Sequence, residues 1–340
     1  MEVIENCEPG VWDAYVQQHP EAFLFHTSVW RTIIQRSFGH RTIYLAAMEG
    51  GAVRGILPLV HLKSLLFGNF VSSLPFVTSG GVCADNETVA QALLRRAVAT
   101  AESLGAGHLE LRQESNVLPE LVTREHKVSM RLPLAAAADD MFASFRSEIR
   151  NRVHKAEKAG LVADICGPEG LDDFYYCFTT NMRDLGTPAY GREFFANMFD
   201  EFSDQDIRIV RVRRGKTVMG AGIMIFGRDR VELPWVSSLR RYFELSPNNL
   251  LYWHAMTHAI ERGMKTFDFG RSTLEAGTYE FKKRWGAEPH QLYWQYWAPA
   301  GDAPDLSPGN PKFQLAIRIW QKLPVSLTKL IGPPIVKYLP

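Results

Sequence analysis

The sequence predicts an α/β (α+β) protein of two domains, each a mixed, mostly antiparallel twisted sheet flanked by helices. Three observations predict it. The 340 residues are too many for one ordinary domain and comfortable for two. The 46% apolar and 22% charged residues can bury real cores. The same order of segments then occurs twice: helices, a hairpin, a further strand or extended stretch, a helix and a final strand pair. The expected divisions are 1–135 for the first domain, 136–299 for the second and 300–340 for a basic amphipathic tail, with a groove between the domains.

In the first domain, residues 11–18 and 28–37 read as short helices, with Ser28 capping the second and Gly39 following its end. Apolar runs at 43–48 and 53–62 surround Glu49-Gly50-Gly51, a hairpin signal. Residues 70–82 are broken by Gly, Ser and Pro and read as a strand plus loop. Val89, Leu93, Leu94, Ala97, Val98 and Leu104 recur at helical spacing over 86–104, and Gly105 closes that helix. Residues 108–112 and 128–132 alternate as strands.

In the second domain, Asp139 or Asp140 is expected to cap one long helix over 141–159. Phe142, Phe145, Ile149, Val153 and Ala156 form its apolar stripe. Arg146, Arg150 and His154 lie four apart on the other side, with Lys155 and Lys158 nearby. Helices follow at 171–185 and 192–202. A hairpin at 207–213 and 218–226 turns around Arg214-Gly215-Lys216, and a strand covers 231–238. Pro247-Asn248-Asn249 opens the helix 250–262. A short strand ends at Gly270, one or two helical turns cover 278–285, and 291–297 is an aromatic strand.

The bulk numbers narrow the function. A formal net charge of +1 argues against a protein coated in nucleic acid, and no DNA partner is expected. Cys7, Cys83, Cys166 and Cys177 are far apart without a CxxC pair, which indicates neither a zinc ribbon nor a disulfide framework. His254 and His258 lie four apart, but Ala255 stands where a zinc protease needs Glu, so no metal is expected. The first ten residues lack a signal-type apolar core, and no run of about 18 apolar residues occurs. These features place the protein in the cytoplasm or on the inner membrane face. After Asp305 there is no acidic residue, only Lys312, Arg318, Lys322, Lys329 and Lys337. Phe313, Ile317, Trp320 and Leu323 share a helical face there. Residues 312–337 therefore read either as a helix docked on the body or as a peripheral contact with the inner membrane face.

The stretch 268–286, DFGRSTLEAGTYEFKKRWG, is the strongest candidate for chemistry. It sets cationic and hydroxyl side chains just past a strand end, a common way to hold an anion. Arg271, Tyr279 and Lys282 are the expected catalytic residues. Arg146, Arg150, Lys155, Asn248, Lys283 and Trp285 are the expected substrate-binding residues. Arginine and lysine give charge-assisted hydrogen bonds to phosphate or carboxylate. Asn248 stands at a helix start, where free N–H groups suit an anion. Each has a plainer reading: solvated lysines after a turn, a basic helix face paired with Glu148 and Glu157, and simple capping at Asn248 and Asn249. Asp268, at a buried strand end, can orient Arg271.

Three segments resemble the Fem family of peptidoglycan-bridge aminoacyltransferases, a branch of the GNAT acyltransferase superfamily. They are RSEIRNRVHKAEKAGL at 146–161, MRDLGTPAYGREFF at 182–195, and the long run 247–289 that contains FDFGRSTLEAGTYEFKKRWG. The chain looks closest to the Fem-like proteins that accompany exosortase (PEP-CTERM) and exopolysaccharide systems. The resemblance implies two GNAT-like domains in tandem, with the tail returning to the first. It implies N-acyl transfer to an amine on a cell-envelope glycan, nucleotide-sugar or lipid-linked precursor. The donor would be a substrate, acyl-CoA or aminoacyl-tRNA, with no bound cofactor. A second class of function is a non-catalytic glycan- or lipid-binding assembly factor that keeps the fold for its groove. The Tyr/Lys/Arg cluster favours the transferase, because a scaffold has no need of it.

Overall fold

The computed structural model describes residues 1–65, 67–299 and 311–339, with only the backbone for 311–313. They form two units. Of the described residues, the first unit holds 1–128, 291–299 and 337–339, and the second holds 129–290 and 311–336.

The first unit opens with β1 (Glu2–Glu5), α1 (Pro9–Gln18) and α2 (Val29–Phe38). Three strands follow: β2 (Arg41–Glu49), β3 (Ala52–Ser64) and β4 (Gly68–Ser73). The short β5 (Cys83–Ala84) leads into α3 (Glu87–Ser103), then β6 (Leu109–Gln113) and β7 (Val122–Pro133), whose last residues enter the second unit. Successive side chains of a strand face opposite sides, and β2 uses both. Ile43, Leu45 and Ala47 meet Val89, Leu93 and Ala97 of α3. Tyr44 and Ala46 meet Trp12 and Val16 of α1. Asn86 caps α3 by accepting from the Val89 N–H, and Gly39 ends α2 in the left-handed conformation at φ +71°.

The second unit begins with α4 (Ala138–Ser144) and α5 (Ser147–Lys158). Next come β8 (Val162–Cys166), α6 (Leu171–Leu185), α7 (Arg192–Glu201), β9 (Ile207–Arg214), β10 (Thr217–Phe226) and β11 (Arg230–Ser238). A 3-10 turn, Arg240–Leu245, leads into α8 (Pro247–Glu261), followed by β12 (Thr266–Thr273), α9 (Gly277–Arg284) and the start of β13 (Glu288–Trp297), which from Gln291 belongs to the first unit. The tail forms α10 (Pro311–Trp320) and α11 (Val325–Val336), which also belong to this unit. One face of the sheet carries the Phe174, Phe178 and Phe195 cluster of α6 and α7, which reaches Trp235 of β11.

The plan repeats. Strands run in the order β1-β2-β3-β4-β6 in the first unit and β8-β9-β10-β11-β12 in the second. In each the first four strands pair antiparallel. The last pair is parallel: β4 with β6, and β11 with β12. In each the parallel pair is joined through a helix, α3 or α8, as parallel strands require. In the first unit β13 extends the sheet beside β6, antiparallel to it.

Several local expectations need correction. The helix expected over 141–159 is two helices. Phe145 and Arg146 are extended at ψ 149° and 147°. The break turns the Phe145 ring onto Trp253 and Trp285, at 6.0 and 5.0 Å between centroids. The Arg150 guanidinium donates to the Ala143 and Phe145 carbonyls at 2.9 and 2.6 Å. Packing and capping together thus outweigh a continuous helical pattern. Arg146 becomes the residue before α5, so it no longer shares one helical line with Arg150 and His154. Ala137, not Asp139 or Asp140, holds the cap position of α4, and both acids sit in its first turn. Ser246, in the left-handed conformation at φ +58°, precedes α8, so Asn248 and Asn249 are inside the helix rather than capping it. β12 runs through Gly270 to Thr273. The tail helix is interrupted around Pro324, and the Phe313 side chain lies outside the described residues.

Candidate active site

β11 and β12 pair in parallel register from Arg230–Thr266 to Glu232–Asp268. Gly270 has φ +75°, and a Cβ there would sit 2.9 Å from the Leu233 carbonyl oxygen. Only glycine fits this conformation and this approach. The residues around the end of the pairing are unusually polar for a core.

Glu232 and Asp268 are fully buried. The Asp268 carboxylate accepts from Ser129 Oγ at 2.6 Å, from Arg131 Nε at 3.0 Å and from the Gly270 N–H at 2.8 Å. Lys282 of α9 is buried behind it, and its Nζ donates to the Gly270 and Arg271 carbonyls at 2.8 and 3.1 Å. Burial pushes the Lys282 amine down to about 8; Asp268 and Glu232 oppose this, and Arg271 reinforces it. Two of the three ammonium hydrogens are thereby assigned. A strand end that only glycine can form, a buried carboxylate and a buried amine are thus held together.

The expected site residues separate into groups. Arg271, Tyr279, Lys282, Lys283 and Trp285 lie together on β12 and α9. Lys283 Nζ stands 5.8 Å from the Tyr279 ring centroid, as expected for residues one helical turn apart. Arg271 and Lys283 are exposed and Tyr279 is half-buried. Trp285 is in the core, among Phe145, Tyr252 and Phe269, so its ring supports α9 from beneath. The α4–α5 segment reaches the end of α9 twice, through Phe145 at the break on Trp285 and through Glu148 of α5, 3.9 Å from Arg284. Arg146 and Lys155 are exposed on the α5 segment, whereas Arg150 is committed to the carbonyls at the break. Asn248 accepts from Ser238 Oγ at 2.6 Å, tying the start of α8 to the end of β11.

His254 and His258 sit on α8, and burial lowers both below the ordinary imidazole value. Among the described residues no group of His, Cys, Asp and Glu is placed to hold a metal ion. Sequence reasoning does not single out Ser129, Arg131 or Glu232. A readable signal exists all the same: each is a polar residue inside an apolar strand, where burial demands a partner.

Residues 143–283 match the family model described as Acetyltransferase (GNAT) domain. That match spans α5 to most of α9 and contains Asp268 and Lys282. No curated protein matches the chain in sequence. Among solved structures the chain is similar to FemX, with a TM-score of 0.69 and 17% identity over 86% of this chain and 97% of that one. It is similar to a tandem GNAT protein from the clavulanic acid biosynthesis pathway, with a TM-score of 0.56 and 11% identity over 89% of this chain and 99% of that one. It is also similar to L-PGS from Bacillus licheniformis, with a TM-score of 0.54 and 11% identity over 98% and 99%. At such identities the likeness is one of fold. The chain thus has the fold of tandem GNAT structures, and the stretch that matches the GNAT domain model lies in its second unit.

Proposed function

We propose that this protein is an N-acyl- or aminoacyltransferase that acts on an amine of a cell-envelope glycan, nucleotide-sugar or lipid-linked precursor. The observation that carries this reading is Lys282: a buried amine, lowered to about 8, held on two backbone carbonyls beside the end of a parallel strand pair within a GNAT domain. The donor is acyl-CoA or aminoacyl-tRNA. The sequence segments at 146–161, 182–195 and 247–289 favour the branch linked to exosortase and exopolysaccharide systems.

Transfer begins when the neutral acceptor nitrogen attacks the acyl carbonyl carbon. The C–N bond forms, and the carbonyl oxygen gains negative charge. Collapse breaks the C–S bond of a thioester or the C–O bond of an aminoacyl ester, and the amine's proton leaves with the thiol or hydroxyl. Preorganised donors aimed at the developing oxyanion are the usual large contribution. Lys282 as ammonium supplies one N–H beyond the two it spends on Gly270 and Arg271. Asp268 and Glu232 keep enough negative charge nearby for that ammonium to persist in the core. Arg271, Tyr279 and Lys283 orient the phosphate or carboxylate of donor or acceptor, with Arg146 and Lys155 contributing from the α5 segment.

The test combines ligand and turnover. Purified protein is screened for a rise in melting temperature with acyl-CoAs, aminoacyl-tRNA and nucleotide sugars. The donors that shift it are then assayed for transfer to amine acceptors by mass spectrometry. Transfer by the wild type, lost in Lys282→Met without loss of ligand-induced stabilisation, supports the reading. Binding with no transfer by the wild type assigns the chain to the assembly-factor class instead.

A further inference from the structure

The tail helices have a docked side and an outward side. On the docked side, a Cβ on Gly186 would lie 2.5 Å from Ile317 Cγ2, so only glycine admits this approach. Arg183 donates to the Leu323 carbonyl at 3.0 Å, and Thr328 and Val336 are buried. One apolar stripe suffices to dock a helix on a body. The outward side is nevertheless apolar too. Leu315 and Ile319, four apart on one face of α10, are 67% and 54% exposed, and Leu330 of α11 is 73% exposed.

This outward side is flanked by charge of a single sign. Arg318 and Lys322 are exposed, Lys329 lies 5.0 Å from the Tyr175 ring centroid on the docked side, and residues 306–340 contain no Asp or Glu. The patch extends onto the body of the second unit. The Asp184 carbonyl accepts from Arg240 and from Gln321, both at 3.3 Å, which joins the turn before α8, the end of α6 and the residue after α10. Leu185, the next residue, is 50% exposed.

We propose that this face docks on an anionic lipid bilayer. Leu315, Ile319 and Leu330 enter the boundary between headgroups and acyl chains, while Arg240, Arg318 and Lys322 meet lipid phosphates. Apolar side chains beside cations are what such a surface selects. A second copy of the chain fits poorly, because pairing this patch with itself sets like charges against each other. Among the described residues no helix is long and apolar enough to cross a membrane, so the contact is peripheral. This inference stands on the tail and holds whatever the transfer site does.

The experiment is co-sedimentation of the full chain with phosphatidylcholine vesicles, with and without phosphatidylglycerol, at low and high salt. Leu315→Ser with Ile319→Ser, and Arg318→Glu with Lys322→Glu, change exposed residues, and circular dichroism verifies their fold. The wild type is expected to pellet with anionic vesicles alone and to be released by salt. Each cation near the surface contributes about fivefold in affinity, so charge reversal at two positions lowers binding at least about twentyfold. The serine pair is expected to lose binding to anionic vesicles as well. The proposal is overturned if the wild type stays in the supernatant, or if both double variants pellet as it does. It is equally overturned if the serine pair changes only the self-association seen in sedimentation velocity.

Discussion

Replacing Lys282 by methionine keeps the length of the side chain and removes its charge. The consequence depends on pH with a definite sign. The folded chain holds the amine at about 8, against an ordinary value of 10.5. A base with a depressed folded value costs stability wherever it is charged in both states. The cost is complete below pH 8 and fades as pH rises towards 10.5, because the unfolded chain then binds the extra proton. Lowering from 10.5 to about 8 corresponds to about 3 kcal/mol. The methionine variant carries no such titration, though it leaves the Gly270 and Arg271 carbonyls without their donor, a roughly constant loss of about 1–3 kcal/mol each. The stability of the wild type relative to the variant should therefore grow by about 3 kcal/mol between pH 7.5 and 10.5. Urea unfolding of both proteins across that range measures it, and the subtraction cancels tyrosines and other lysines. Transfer should move the opposite way. If the ammonium serves the oxyanion, turnover declines as pH passes about 8 while stability improves. A stability difference that stays flat from pH 7 to 10 refutes the argument, since the amine would then be solvated and the buried cluster of Glu232, Asp268 and Lys282 would not hold it.

Gly270→Ala should destabilise by about 1–3 kcal/mol, read as a lower urea midpoint at unchanged slope, because its φ of +75° and its approach to the Leu233 carbonyl both exclude a Cβ. Asp268→Asn should cost about 3–5 kcal/mol in the same assay, since it leaves Arg131 and Lys282 without their buried carboxylate. Trp285→Ala should lower stability by about 3–5 kcal/mol as a core truncation. Tyr279→Phe should change stability by less than about 0.5 kcal/mol, so any loss of ligand-induced melting shift there reports binding. Arg150→Ala should cost about 1 kcal/mol and loosen the α4–α5 break, seen as faster amide exchange near Phe145, because two carbonyls lose a charged donor.

Much of the fold is legible in the sequence because most elements end at residues with a local reason to end them. Asn86 caps α3, and Gly39, Gly186 and Gly263 close helices in the left-handed conformation. What the sequence hides is settled by distant neighbours. The pattern Phe142, Phe145, Ile149, Val153 suits one helix perfectly well. It breaks because Phe145 gains more from Trp253 and Trp285 than from one more helical turn, and neither tryptophan is near it in sequence. β1 and β8 escape notice for another reason: at four and five residues they are too short to show a period, and only pairing to β2 and β9 reveals them. Of the candidate site, the Lys282 position is readable and its environment is not. Ser129 and Arg131 are more than 100 residues from Asp268, so no local spacing announces their hydrogen bonds.

The proposed transfer site lies in the second unit although both units follow one plan. Both contain a parallel pair in matching places, with Ser72 opposite Glu110 in one and Glu232 opposite Asp268 in the other. The acid of the first unit is already answered. Glu110 accepts from Arg112 Nε at 2.8 Å and from Tyr296 at 3.0 Å, and the Arg112 guanidinium stands 4.4 Å from the Trp294 ring centroid. That neighbourhood holds the Glu110 carboxyl below its usual range. Residues 70–83, from within β4 to the start of β5, are buried without exception. Arg112 is held on Glu110 at 2.8 Å and on the Val77 carbonyl at 3.3 Å. In the second unit Asp268 also pairs with an arginine, Arg131 at 3.0 Å, but a buried lysine, Lys282, lowered to about 8, stands beside that pair with an N–H to spare. The two copies of one plan thus differ in that a buried ion pair stands without a lysine in one and beside the buried amine of Lys282 in the other, which is why the proposed transfer site is placed in the second.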